Sequence, residues 1–311
     1  MTEVELPIFN NKFFEELKKL KKVPPHFRFL TEEYSKNEAA KIYLNLCKQY
    51  INAAEKVGLF QSVESNDIKR RLESRDNKQF FPALSHCKAS FFFSDMCGFN
   101  VKPTPPSRRD DRNLDLKIIY NDIEYFVEVK TPIKSIDWDS ISAKNGIRTL
   151  SWVGDDSDEL QEGIRRACRQ FDNTKPNILF LDTSYLRAPI DKYLCLKAFI
   201  GQQAVTFIRN EETGEMIEQD SVFLANGISV NPKNSKGRYI KKDRSIPFSR
   251  ISMIVCFQDH IYNLIEYNIK KDVFVIHNPY AKNPVPQKMF NRYPQLIKTS
   301  DNIESFKMEW I

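Results

Sequence analysis

The sequence lacks the patterns of a membrane protein, a secreted protein or a structural zinc site. No apolar run approaches the ~20 residues that a helix needs to cross a bilayer. The first residues, Met-Thr-Glu-Val-Glu-Leu-Pro, lack the basic start and apolar run of a signal peptide. The six cysteines include no Cys-x-x-Cys pair and have no neighbouring histidine pattern, so no zinc site is expected. These absences predict a cytoplasmic protein whose reduced thiols act as small core residues.

Internal repeats, low-complexity segments and local nucleophile motifs are also missing. The four histidines are scattered, and no motif links one of them to a cysteine, so a cysteine nucleophile is not expected. The 311 residues are 41% hydrophobic and include 23 Phe, which is enough for a sizeable core in one large or two modest domains. The net charge of +6 favours a polyanionic partner.

The most informative stretch is residues 114–132, where two runs rich in β-branched and aromatic residues flank Asn121 and Asp122. This dipeptide suits a tight two-residue turn, so the stretch predicts a β-hairpin. Such a turn fixes the register of the two strands. Tyr120 should pair with Ile123, and each opposed pair further along follows from that one.

Continued to its end, this register pairs Leu114 with Val129 and sets Asp115 opposite Glu128, with Cβ atoms roughly 4.5–5.5 Å apart. Lys130 points to the same face as Glu128, and the other face is apolar and should pack on the core. Two opposed carboxylates repel and require a cation. They could belong to a solvated face of mixed charge, or they could provide the oxygen ligands that Mg²⁺ prefers. The hairpin alone leaves both interpretations open.

The order of elements around the hairpin predicts an α/β fold. Before the hairpin, the pattern of residues 1–78 predicts charged helices, and we expect a buried helix from about 81 to 96 that stops at Gly98. After it, we expect a helix from Ser157 and a buried strand at 177–182. The rest should be a helix at 190–208, a loop-rich region at 209–247 and strands at 251–257, 262–269 and 273–276.

A basic loop at about 231–245 is a candidate for phosphate contact. Its candidate nucleic-acid-binding residues are Lys236, Arg238, Lys241 and Lys242. A flexible, solvated loop explains the same composition equally well.

The order helix, hairpin, helix, strand, together with Asp115 and the triplet Glu128-Val129-Lys130, resembles the PD-(D/E)XK nuclease superfamily. The resemblance covers residues 80–171 and implies a restriction-endonuclease-like mixed sheet flanked by helices. It implies a nuclease domain at 79–311, preceded by a helical region at 1–78 for substrate positioning or dimerisation. The helix after the hairpin often carries a Gln with basic neighbours in this family, and its counterparts here are Arg166, Arg169 and Gln170.

The resemblance implies a metal-dependent endonuclease that hydrolyses DNA, in a restriction or phage-defence system with partner subunits. Asp115, Glu128 and the Val129 carbonyl would hold Mg²⁺ or Mn²⁺, and Lys130 would orient the attacking water. Many relatives have a metal-binding Glu in the first helix, where this chain has His86. His86 is either a further metal ligand or a histidine held by a core partner.

The missing Glu supports an alternative, a non-catalytic nucleic-acid-binding or scaffolding protein that keeps the nuclease fold. Nothing in the sequence separates DNA from RNA as the substrate. Cutting both strands of a duplex would need two sites, which a homodimer would supply.

Overall fold

In the computed structural model of the chain, one eight-stranded mixed β-sheet carries helices on both faces. The α/β class and the mixed sheet expected from the sequence are therefore confirmed. The longer stretches that the structure describes are residues 38–61, 65–104, 114–133, 157–172, 174–186, 201–209, 216–226, 248–259, 273–298 and 308–311. Shorter described pieces are residues 12, 15–16, 19, 143–144, 147–148, 191, 194–195, 197–198 and 213.

Four α-helices have defined bounds: α1 at Glu38–Lys56, α2 at Ser65–Leu72, α3 at Asn77–Phe91 and α4 at Ser157–Gln170. The carboxylate of Asp76 caps α3 by accepting a hydrogen bond from the Lys78 backbone N–H at 2.9 Å. A π-helical turn at Phe92–Met96 extends α3, and Gly98 follows with a left-handed φ of 72°. The predicted helix at 81–96 with its stop at Gly98 is confirmed, but it begins four residues earlier.

The strands are short in the main sheet and long in a separate hairpin. They are β1 at Asn100–Pro103, β2 at Leu116–Tyr120, β3 at Ile123–Lys130, β4 at Ala143–Lys144, β5 at Ile147–Arg148, β6 at Asn177–Asp182, β7 at Gly201–Arg209, β8 at Met216–Asn226, β9 at Met253–Phe257, β10 at Val273–His277, β11 at Gln295–Lys298 and β12 at Met308–Trp310.

The main sheet has the order β1-β2-β3-β6-β9-β10-β11-β12. Strands β3, β6 and β9 run parallel to one another, while β1 and β2 pair antiparallel on one side of them and β10 pairs antiparallel with β9 on the other. The carboxyl ends of the three parallel strands therefore share one edge of the sheet. The start of β2 lies at that same edge, because β2 is antiparallel to β3.

The two faces of the sheet pack against different helices. Side chains such as Val127, Phe180 and Val255 share a buried cluster with residues of α1 and α3. On the opposite face, Leu179 and Leu181 pack with residues of α4. Alternation along each strand thus fills two cores, as expected for a sheet covered on both sides.

Part of the prediction for residues 190–247 is wrong. The expected helix at 190–208 is helical at 194–195 and 197–198, but its second half is strand β7. The expected loop at 209–247 contains β8, which pairs antiparallel with β7 in a sheet of their own. Val205, Thr206, Phe207 and Ile208 are all β-branched or aromatic, which favours a strand, and this stretch pairs with β8. The strand predicted at 262–269 lies outside the described residues.

Residues of α1 belong to the same buried cluster as α3 and the sheet. The boundary expected at residue 78 stays a prediction.

All six cysteines are free thiols, and all except Cys97 are buried. Within the described part of the chain, no helix combines the length and apolar content needed to cross a bilayer.

Candidate functional site

The predicted hairpin and its register are confirmed between Tyr120–Ile123 and Leu116–Val127. Asn121 and Asp122 both have positive φ, 49° and 61°, which is the backbone of a type I′ turn. This turn matches the twist of the two strands. It therefore aligns β2 and β3 as the sequence predicted.

The ladder ends one step before the pair that the sequence placed at the site. At Leu116 the regular pairing stops, and the Asp115 backbone N–H donates to the Val127 carbonyl at 3.1 Å. The Asp115 carboxylate then accepts the Val129 N–H, with 2.7 Å between Oδ2 and N. In the expected register the Leu114 carbonyl would have accepted this bond. The prediction that Leu114–Val129 and Asp115–Glu128 are ladder pairs is therefore wrong, because the β2–β3 ladder ends at Leu116–Val127.

Leu114 also lies on the other side of the sheet from the one expected. It packs against the apolar cluster of α4, whereas Leu116 and Val127 belong to the cluster of α1 and α3. The chain turns at Asp115 because a side chain replaces the backbone acceptor there. This turn carries the Asp115 carboxylate to the end of β3.

Glu128 and Lys130 lie beside Leu179 and Leu181 in the parallel pairing of β3 with β6, and so on the α4 side of the sheet. The Glu128 side chain is 2% exposed, and its Oε1 contacts the Lys130 ammonium. The second oxygen, Oε2, is buried and accepts no hydrogen bond of normal geometry from the described residues. Glu128 therefore has one oxygen that an incoming cation or donor could use.

Burial is the main cause of a large shift in the pKa of Glu128, and the nearby charge of Asp115 adds to it. Together they raise the pKa to about 8, against the opposing effects of Lys130 and of the Gln170 side chain. The carboxyl thus holds a proton at neutral pH when no cation is bound. A metal ion binding there would have to displace this proton.

His86, on α3, lies beside Asp115, with Nδ1 3.7 Å from Asp115 Oδ1. Burial, together with the positive charges of Arg71 and Lys130, lowers the pKa of His86 from 6.5 to about 3. The imidazole is therefore neutral at physiological pH and forms no ion pair with Asp115. Its buried Nδ1 has no hydrogen-bond partner among the described residues.

The predicted nucleic-acid-binding residues are brought to the site only in part. Gln170 approaches Glu128 closely enough to act on its pKa. Arg166 is 71% exposed and donates to Glu162 at 2.9 Å, and Arg169 is exposed on the same helix. The four basic residues predicted in the loop at 231–245, Lys236, Arg238, Lys241 and Lys242, lie outside the described residues.

The donor set suits a hard cation but is small. In the parts of the chain with described structure, no group of three or more His, Cys, Asp or Glu side chains is arranged to hold a metal ion. Asp115 and Glu128 would have to be completed by other oxygens, such as the Val129 carbonyl. Carboxylate and carbonyl oxygens are the ligands that suit Mg²⁺ and Mn²⁺.

Sequence reasoning missed a second charged group at the same edge of the sheet. Lys88 of α3 is fully buried between Asp182, at the end of β6, and Asp259, two residues beyond β9. One signal was present: a lone Lys stands within the apolar run Cys-Lys-Ala-Ser-Phe-Phe-Phe. Another was an Asp at or just past the carboxyl end of two buried strands, where α/β sheets carry functional groups.

Comparison of the chain with protein-family models, with curated proteins and with solved structures found no match in any of the three. The geometry around Asp115, Glu128, Lys130 and His86 is therefore the basis on which a function is inferred. This geometry consists of two carboxylates, one ammonium and one neutral imidazole at the end of a hairpin.

Proposed function

We propose that the chain is a metal-dependent nuclease of the PD-(D/E)XK type that hydrolyses phosphodiester bonds of DNA. The observation that carries the proposal is the convergence of Asp115, Glu128 and Lys130 at one end of the β2–β3 hairpin. Asp115 is oriented by the Val129 N–H, and Glu128 contacts the Lys130 ammonium. The choice of DNA, and of a restriction or phage-defence context, rests on the resemblance of the motif.

The order of elements supports the same proposal. Helix α3 precedes strands β1, β2 and β3, helix α4 follows them, and β6 then pairs parallel with β3. This is the order that the resemblance implies for the nuclease core. The strands β1, β2, β3 and β6 are also direct neighbours in the sheet, so the core is contiguous.

The oxygen donors of the site are of the kind that bind a divalent cation. The Asp115 carboxylate is an anionic donor, the buried Oε2 of Glu128 would become one on loss of the Glu128 proton, and the Val129 carbonyl would complete the set. A cation held there would supply Lewis acidity at a phosphoryl oxygen and a more acidic water. The described donors therefore fit Mg²⁺ or Mn²⁺.

The chain's own residues have distinct roles in this proposal. To hold a cation, Glu128 would have to give its proton to solvent and release Lys130, whose ammonium could then orient the attacking water and stabilise charge on the phosphate. Gln170 lies beside Glu128, where it can position the scissile strand. His86, being neutral, leaves the negative charge of the carboxylates intact.

The test is cleavage of supercoiled plasmid DNA and of an RNA of matched length with Mg²⁺ or Mn²⁺, with EDTA as the control. Asp115→Ala, Glu128→Ala and Lys130→Ala should each abolish cleavage while the fold is kept. The matched controls are Lys117→Ala and Glu124→Ala, which break a more exposed ion pair of 2.7 Å on the same hairpin. Activity in any of the three site variants at the wild-type level would refute the mechanism.

Two observations favour a second candidate, a nucleic-acid-binding protein without catalysis. The Lys130 ammonium already occupies one oxygen of Glu128, and the first helix supplies His86 where the resemblance implies a Glu in many relatives. This protein would bind DNA with strong salt dependence but would not cut it with either metal. The same plasmid assay, run beside a binding titration at two salt concentrations, separates the two candidates.

A further inference from the structure

A buried lysine fastens α3 to the ends of two parallel strands. Lys88 is fully buried, and its Nζ lies 3.2 Å from Asp182 Oδ2 and contacts Asp259 Oδ1. It also donates to Ser184 Oγ at 3.0 Å. Since Asp182 ends β6 and Asp259 follows β9, one ammonium connects the helix with both strands. We call Lys88, Asp182, Ser184 and Asp259 the Lys88 cluster.

The hydrogen bonds of this cluster define directions as well as proximity. Asp182 accepts from Ser85 Oγ at 2.5 Å, and from Ser184 through both its Oγ at 2.5 Å and its backbone N–H at 3.1 Å. Ser184 Oγ accepts in turn from the Asp259 N–H at 3.0 Å. The hydroxyl of Ser184 thus uses its donor and both of its acceptor positions.

Lys88 carries a positive charge in this cluster. Burial lowers the pKa of Lys88, but the charges of Asp182 and Asp259 outweigh burial and hold the pKa above its usual value. The ammonium therefore keeps its proton and cannot act as a base toward Ser184. A cluster this deeply buried has another effect, on the placement of the helix that carries it.

Buried ion pairs seldom stabilise a fold more than apolar side chains of the same volume would, but they restrict geometry. Apolar contacts let a helix rotate or slide, whereas hydrogen bonds from Ser85 and Lys88 to one carboxylate allow one rotation and one height. His86 lies between these two residues in sequence. Its Nδ1 is 3.7 Å from Asp115 Oδ1, and a slide of α3 by one residue, about 1.5 Å along the helix axis, would change this separation.

We propose that Lys88 is a positioning residue, which with Asp182 and Asp259 fixes the rotation and height of α3 and so holds His86 beside Asp115. The importance of this placement for catalysis rests on the proposed nuclease function. The placement itself does not depend on that function.

The test uses the full chain in which the cluster is made neutral by the triple substitution Lys88→Met, Asp182→Asn and Asp259→Asn. The single variant Lys88→Met is avoided because it leaves two buried carboxylates without a cation. The control is Lys117→Met with Glu124→Gln, which removes an ion pair from the hairpin without touching α3.

The first readout is independent of activity. In ¹⁵N-histidine NMR spectra at a fixed pH, the ring signal of His86, assigned with His86→Gln, should move or split in the neutral variant. The ring signal of His277, which is hydrogen-bonded to Gln295 at 2.7 Å, should stay in place. An unchanged His86 signal in the folded neutral variant would overturn the proposal.

If the neutral variant does not fold, Ser184→Ala decides the question. This substitution removes the hydroxyl that links all three charged residues of the cluster with little change in volume. It should move the His86 signal relative to wild type, and no movement would overturn the proposal.

The second readout is a double-mutant cycle on cleavage. The neutral variant and His86→Gln should each lower kcat, by about 10- to 100-fold as expected for misplaced groups, with little change in KM. Combining them should cost no more than the larger single effect, because both act through His86. Additive losses would overturn the proposal. If the wild-type chain cuts no nucleic acid, the proposed function fails, and the NMR result alone decides the positioning role.

Discussion

The Asp115 carboxylate accepts the Val129 backbone N–H at 2.7 Å and so stands in for the backbone carbonyl that would continue the ladder. One oxygen of Asp115 is thereby committed to the fold of the hairpin, while the other faces His86. The same side chain thus ends a strand and orients a charge. Its structural and chemical roles can be separated by substitution.

Asp115→Asn keeps an oxygen that can accept the Val129 N–H but removes the charge. We expect little loss of stability, whereas Asp115→Ala leaves that N–H without its acceptor and should cost about 1–3 kcal/mol. Both variants should lose cleavage by about 100-fold or more, since even the partners of metal ligands are worth 10- to 100-fold. Urea denaturation and plasmid cleavage measure the two effects. Equal stability of the two variants would contradict the structural role.

The raised pKa of Glu128 predicts an unusual pH dependence of stability for the metal-free protein. Burial and Asp115 raise its pKa from 4.5 to about 8. A carboxyl whose pKa is raised by folding contributes stability that is complete below pH 4.5 and is lost as the pH rises through about 8. Glu128→Gln should therefore gain stability relative to wild type between pH 7 and about 9.

The control for this experiment is Glu124→Gln on the same strand, whose pKa is lowered by the hydrogen bond from Lys117. Its stability difference from wild type should stay flat between pH 7 and about 9. Thermal unfolding with EDTA across this range gives both curves. Parallel curves for Glu128→Gln and Glu124→Gln would contradict the raised pKa.

The two aspartates of the Lys88 cluster should differ in their contributions to stability. Asp182 accepts hydrogen bonds from both Ser85 and Ser184, while Asp259 Oδ2 is buried without a partner among the described residues. Asp182→Asn should cost about 1–3 kcal/mol. Asp259→Asn should be close to neutral, because the cluster then holds one cation and one anion.

The raised pKa of Asp259 predicts how the effect of Asp259→Asn on stability changes with pH. Burial raises this pKa, Lys88 opposes the rise and Asp182 adds to it. Its contribution to stability is therefore lost as the pH rises through the raised value, and Asp259→Asn should help most at higher pH. Urea denaturation at several pH values measures this. A larger loss for Asp259→Asn than for Asp182→Asn would reverse the assignment.

Local patterns explain which parts of the molecule the sequence predicted. The hairpin register followed from Asn121 and Asp122, and the helix end followed from Gly98, because each depends on a few adjacent residues. The end of the ladder at Leu116 was not predictable in this way, since a side chain competes there with a backbone carbonyl. The Lys88 cluster joins residues 94 and 171 positions apart, and no short-range pattern contains it. For β7, the partner strand β8 determined the conformation.

The turn at Asn121 and Asp122 sets the register on which the site depends. Both residues adopt left-handed backbone, at φ 49° and 61°, which costs a β-branched residue about 1–2 kcal/mol. Asp122→Val should therefore destabilise the chain by about that amount, while Asp122→Gly should stay within about 0.5 kcal/mol.

Asp122→Val should also lower cleavage more than its stability loss explains, because a slip of one residue would move Glu128 to the other face of the sheet. Asp122→Gly, which accepts the same backbone, should keep wild-type cleavage. Denaturation and plasmid cleavage of the two variants are compared at a temperature where both are folded. Full activity in folded Asp122→Val would show that pairing with β1 and β6 sets the register without help from the turn.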